Sequence, residues 1–193
     1  MKNIITFITV LLFPLSAAAH VGVSGGFEAG FSHPVLGLDH LLAMVSVGII
    51  SAQMGGKAIW TIPATFVLVM ALGGALGMVD IGLFAVEIGI ALSVVALGLT
   101  IATNAKIYPV AIYVFVALFA IFHGYAHGQE IPALATSWAY IVGFMIGTAA
   151  LHLAGVAIGY FSRTIVKGET LLRYAGAMVA GIGLHILLGI AGI

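Results

Sequence analysis

Apolar residues run through the chain in six long stretches, separated by short polar or glycine-bearing breaks. The stretches fall at about 34–53, 58–78, 81–103, 107–128, 133–161 and 171–193. At about 1.5 Å per residue, each is long enough to cross a hydrocarbon core of about 30 Å. The fifth exceeds that need and is expected to tilt or to extend beyond the core. No loop between the stretches could house a second domain, and no internal repeat stands out. The pattern predicts an all-α membrane protein whose residues 20–193 form a single bundle of six transmembrane helices.

A shorter apolar segment precedes these six and reads differently. Lys2 gives a short positive start, Ile4 to Leu15 an apolar core, and Ala17-Ala18-Ala19 a small-residue cleavage signature. Residues 1–19 are therefore expected to be a cleaved signal peptide, with His20 as the new N-terminus. An uncleaved first helix ending near Ala19 is the alternative, but the run is short for a full span of about 20 residues.

Composition confirms bilayer as the solvent. Hydrophobic residues are 63% of the chain and charged residues 6%, against about 25% charged in a soluble domain. Net charge is zero, with no basic stripe or acidic tail, so no nucleic-acid partner is indicated. The absence of cysteine removes disulfides, thiolate metal sites and cysteine nucleophiles together. The 26 glycines suit helices that approach closely within a membrane.

The few charges orient the bundle. Lys57, Lys106, Arg163, Lys167 and Arg173 all fall at one end of the predicted helices, whereas Glu28, Asp80 and Glu130 fall at the other. The positive-inside rule puts the cationic end in the cytoplasm and the mature N-terminus outside. An exported signal peptide would leave it there too. The expected location is the bacterial inner membrane, crossed several times.

Two histidine–carboxylate groups then stand out, both at the outer end. The first is His33-Pro34-Val35-Leu36-Gly37-Leu38-Asp39-His40. Proline favours the first helical position, so a helix starting at Pro34 would leave His33 just outside it. His33 and His40 would then lie about two turns apart on roughly one face, with Asp39 beside them. Such a carboxylate is needed if a cation is to sit near a helix N-terminus, whose dipole repels it. The second group is His123, His127 and Glu130, at i, i+4 and i+7 on one helical stripe. The alternative for both is that the rings satisfy helix-end or interhelical hydrogen bonds. Two groups arriving at the same depth from different helices favour a shared ion site.

Other polar side chains are weaker candidates. Glu87 is placed about two turns into the third stretch, where a carboxylate is costly and usually faces a cavity or a partner. His152 and His185 lie deeper, and either a lower station on a permeation path or plain interhelical hydrogen bonding would account for them. His20 could chelate through its ring and α-amine if cleavage occurs before it. Met44 follows His40 by four residues, but an apolar methionine usually just packs. Imidazole and carboxylate without thiolate suit Ni(II), Co(II) or Zn(II), with Fe(II) and Mn(II) compatible, while Cu(I) would want sulfur and Mg(II) would not need histidines.

At these motifs the chain resembles the HupE/UreJ family of bacterial nickel and cobalt permeases. The resemblance rests on His33-Pro34, Gly37 and Asp39-His40, continuing through Leu41-Leu42-Ala43-Met44 and Val47-Gly48. It rests also on Phe122-His123-Gly124, Ala126-His127-Gly128 and Glu130, and on Val86-Glu87-Ile88-Gly89-Ile90-Ala91 with Ser93. It implies uptake of Ni(II) or Co(II) across the inner membrane, commonly for hydrogenase or urease maturation, by a permease and not an enzyme. It also implies His33, Asp39, His40, His123, His127 and Glu130 as metal-binding positions. The metal would be cargo, not a catalytic cofactor, and the partners would be the ion and the bilayer; a homo-oligomer is left open.

No phosphate-binding G-x-x-x-x-G-K-[ST] loop is present, so transport would not be driven directly by ATP. Two other readings fit the ligand types. One is an intramembrane zinc-dependent hydrolase with Glu130 or Asp39 as general base. The other is a haem-binding electron carrier using paired histidines.

Overall fold

The structure, a computed structural model, describes residues 26–131 and 137–193. The expected signal peptide, its cleavage point and His20 lie outside the described residues. The described chain is entirely helical: α1 (Phe27–Leu36), α2 (Leu38–Met54), α3 (Ala58–Met78), α4 (Val86–Thr103), α5 (Pro109–Glu130), α6 (Ser137–Ser162) and α7 (Gly168–Ile190). Helices α3 to α7 are each long and apolar enough to span a membrane, and α1 and α2 together form a sixth, broken span. The protein is thus a multi-pass membrane bundle, as the apolar pattern predicts.

Two local departures from the expected helices matter for function. The first stretch is not one helix beginning at Pro34. Pro34 lies inside α1, and the chain breaks at Gly37, where φ −86° and ψ 115° leave the helical region. The axes of α1 and α2 differ by 85° across that break. His33 and His40 therefore sit on different helices, not on one face of the same helix. The third span starts at Val86 and not near residue 81, because Asp80 and Ala85 adopt positive φ and hold residues 79–85 in a turn. Glu87 falls in the first turn of α4 and is exposed, so the expected depth of two turns is corrected.

Packing is organised around α2. Nearly every residue from Ala43 to Ala52 is buried on it, the mark of a helix surrounded by others and not of one with a single apolar stripe. It contacts α1, α3, α4, α6 and, lightly, α7. The other tight pairs close through glycine. A Cβ on Gly124 would lie 2.0 Å from the Met70 carbonyl oxygen, and one on Gly128 would lie 2.2 Å from that of Gly74, so α5 rides directly on the α3 backbone. Such approach is how membrane helices gain packing, since lipid offers no hydrophobic drive between them. Val47, Phe66, Leu97 and Val116 lie in the apolar core at mid-depth.

At the cationic end, arginines cap helices. Arg163 donates from Nη2 to the carbonyls of Ala52 (2.6 Å) and Gln53 (3.2 Å) at the end of α2. Arg173 donates from Nε to the carbonyl of Ala102 (2.8 Å), near the end of α4. Both contacts satisfy orphan carbonyls at the negative end of a helix dipole.

Candidate metal site

The last two turns of α5 present His123, His127 and Glu130 along one stripe. Gly124 and Gly128 on the adjacent face hold that part of the helix against α3. The stripe faces the first turn of α2 and the last turn of α1, which bring His40 and His33. The result is a continuous row of imidazoles from three helices. Ring centroids are 5.0 Å apart for His33–His127, 4.1 Å for His127–His40 and 4.7 Å for His40–His123. The 85° break at Gly37 is what folds His33 back over His127.

One carboxylate holds the His33 end of the row, and another flanks its third ring, His40. Nε2 of His33 lies 3.1 Å from Glu130 Oε2, and Nδ1 of His127 lies 3.5 Å from the same oxygen. The second separation is a charge contact without hydrogen-bond geometry, since neither ring nitrogen of His127 has a hydrogen-bond partner. One ligand atom each from His33, His127 and Glu130 lies within 4.8 Å of the other two. Asp39 Oδ1 accepts from the His40 backbone N–H at 2.9 Å and pairs with His40 Nδ1 at 3.0 Å. A carboxylate only accepts, so Nδ1 of His40 carries the proton and Nε2 is left bare.

Buried ring nitrogens without a hydrogen-bond partner are the chemical signature of the site. His40 Nε2, His123 Nδ1 and both nitrogens of His127 are buried without a hydrogen-bond partner. Leaving one such group unsatisfied costs about 1–3 kcal/mol, and a cation bound between them would relieve that cost. Phe144 walls the row, 4.2 Å from the His127 ring and 6.1 Å from that of His33.

The remaining candidates separate clearly. His152 on α6 is fully buried with both nitrogens unpartnered, and the Phe66 ring stands between it and the row, 5.1 Å from His152 and 5.6 Å from His123. His185 is on an exposed face of α7, and Glu87 is exposed at the start of α4; neither is among the groups that gather around the row. Met44 is buried in the core, as a packing methionine would be. Sequence reasoning did not select Ser93 as a site residue, although its hydroxyl oxygen is 2.9 Å from His123 Nε2. The available signals were its place as the one serine of the apolar run in α4 and its part in the family-like run from Val86.

Fold and site together define a multi-pass helical membrane protein with a histidine–carboxylate cluster buried near one end. The family described as "HupE / UreJ protein" matches residues 8–186, and the chain belongs to the HupE/UreJ family. It is 42% identical over 189 residues to "Protein HupE" of Rhizobium leguminosarum bv. viciae, an alignment covering 97% of this chain and 98% of that one. No solved structure matches the chain significantly.

Proposed function

We propose that the protein is a secondary permease that admits a divalent transition metal, Ni(II) or Co(II), through the row of imidazoles. The observation that carries this reading is the row of His33, His127, His40 and His123 rings from three helices, with His33, His127 and Glu130 within reach of one ion and several ring nitrogens buried without a partner. Family membership supports it, because the HupE/UreJ family is linked to nickel and cobalt transport. In this reading Glu130 and His33 capture the ion at the outer rim, and His127, His40 and His123 replace its water shell. His152, beyond Phe66, is the next nitrogen inward.

Charge and cavity agree with an inward path. Among the described residues, every lysine and arginine lies at the end opposite the cluster, so the mouth is free of fixed cations. A cavity of about 470 Å³ opens at the cationic end, lined by Lys106 and Arg163 together with Gln53, Asn104, Ser162 and Glu169. Between cluster and cavity the core is closed by apolar side chains such as Val47, Leu97 and Val116, so passage requires the helices to open to alternate sides. With the cationic end in the cytoplasm, a potential of 100 mV, inside negative, would favour entry of two charges by about 4.6 kcal/mol. Hydrogenase or urease maturation is the expected destination of the metal.

Metal accumulation at limiting nickel or cobalt tests the reading in cells lacking their own permeases. His40→Ala and His127→Ala are expected to lose uptake; unchanged uptake in both would overturn it. The zinc hydrolase reading draws no support from the family comparison.

A further inference from the structure

His40 and His123 are neighbouring rings of the cluster, and a different neighbour sets each ring. Asp39 fixes His40 with its proton on Nδ1. The neighbour of His123 is Ser93, fully buried on α4. The Ser93 hydroxyl donates to the carbonyl of Ile90, one turn earlier, at 2.6 Å. A hydroxyl has one hydrogen, and a carbonyl can only accept it. Toward His123 Nε2, at 2.9 Å, Ser93 Oγ is therefore left as an acceptor. With the hydroxyl hydrogen committed to the Ile90 carbonyl, the ring proton lies on Nε2 and Nδ1 is the lone-pair nitrogen. Nδ1 is the atom of His123 that is buried with no partner, and the His40 ring lies edge to face beside it, 4.7 Å between centroids.

We propose that Ser93 is a positioning residue, which holds His123 as the Nε2–H tautomer so that its Nδ1 lone pair points into the cluster toward the ion. The inference rests on the metal reading of the cluster and adds a residue to it. Ser93 does not touch the ion; its own oxygen is occupied by the ring. It acts from α4, a helix that supplies none of the imidazoles, and so ties that helix to the state of the site. Asp39 and Ser93 set opposite tautomers, Nδ1–H in His40 and Nε2–H in His123. The nitrogens left with lone pairs are then Nε2 of His40 and Nδ1 of His123. Partners of this kind fix ring orientation and ligand basicity at metal sites, and their loss typically costs about 10–100-fold in affinity.

The test uses the full-length protein in lipid nanodiscs with nickel chloride as the probe. In the metal-free wild type, ¹⁵N resonances of labelled histidine, assigned with His123→Ala, should show His123 protonated at Nε2 and bare at Nδ1. Ser93→Ala should mix the two tautomers and weaken nickel binding by about 10–100-fold. Ser93→Thr, whose hydroxyl can make the same bond to the preceding turn, should restore both. The inference is overturned if wild-type His123 carries its proton on Nδ1, or if Ser93→Ala binds nickel as the wild type does. His123→Ala separates the two levels: undiminished binding in that variant would sink the metal reading of the ring itself, whereas lost binding there with unchanged Ser93→Ala would sink only the role of Ser93. The tautomer measurement on the wild type stands even if Ser93→Ala fails to fold.

Discussion

His33 and Glu130, 97 positions apart in the chain, meet at 3.1 Å where the last turn of α1 folds over the end of α5. This contact closes the outer face of the cluster. If both side chains act on the same ion, their effects should not add. Single variants His33→Ala and Glu130→Gln are expected to weaken nickel binding by about tenfold each, and the double variant by less than the product. Residues sharing a partner couple by about 0.5–3 kcal/mol, and the lower end applies because the Glu130 side chain is 55% exposed. Isothermal titration of the four proteins reads the coupling; strict additivity would place the two groups on separate sites.

Asp39 touches His40 twice, through the ring and through the backbone N–H. Asp39→Asn keeps the shape but lets the amide present either a donor or an acceptor to Nδ1. Binding is expected to fall by about 10–100-fold while thermal stability changes little. Wild-type affinity in this variant would show that His40 needs no orienting carboxylate.

Glycine packing can be tested apart from chemistry. Gly124→Ala would push a methyl group against the Met70 carbonyl oxygen, at 2.0 Å, and should destabilise the protein by about 1–3 kcal/mol through overpacking. Gly181 on α7 faces open space, and a Cβ there would meet no neighbouring atom within 4 Å. Gly181→Ala should therefore be neutral or stabilising by up to about 1 kcal/mol. Melting temperatures in detergent compare the two; equal shifts would refute the α3–α5 contact.

Orientation is open to labelling, since the sequence contains no cysteine. Phe84→Cys lies in the exposed turn before α4, at the end that carries the cluster, and Val166→Cys in the exposed turn before α7, at the cationic end. A maleimide that reaches the periplasm but does not cross the inner membrane should label the first in intact cells and the second only after lysis. The reverse result would invert the proposed direction of transport.

The sequence alone determined the number of apolar spans, the segregation of Lys57, Lys106, Arg163, Lys167 and Arg173 to one end, and the His–x₃–His stripe of α5, because each depends on local spacing or hydropathy. Tertiary structure decided the rest. Hydropathy does not register a break at a single glycine, so the 85° turn at Gly37 and the placement of His33 on its own helix were not legible. Nor did it mark the left-handed residues Asp80 and Ala85, which shorten α4 and leave Glu87 at its start. His152 and His185 looked alike along the chain, yet one is buried beside Phe66 and the other is exposed. In a bilayer the lipid-facing and core-facing sides of a helix are both apolar, so only the packing of neighbouring helices settles which polar side chains turn inward and which of their nitrogens are left without a partner.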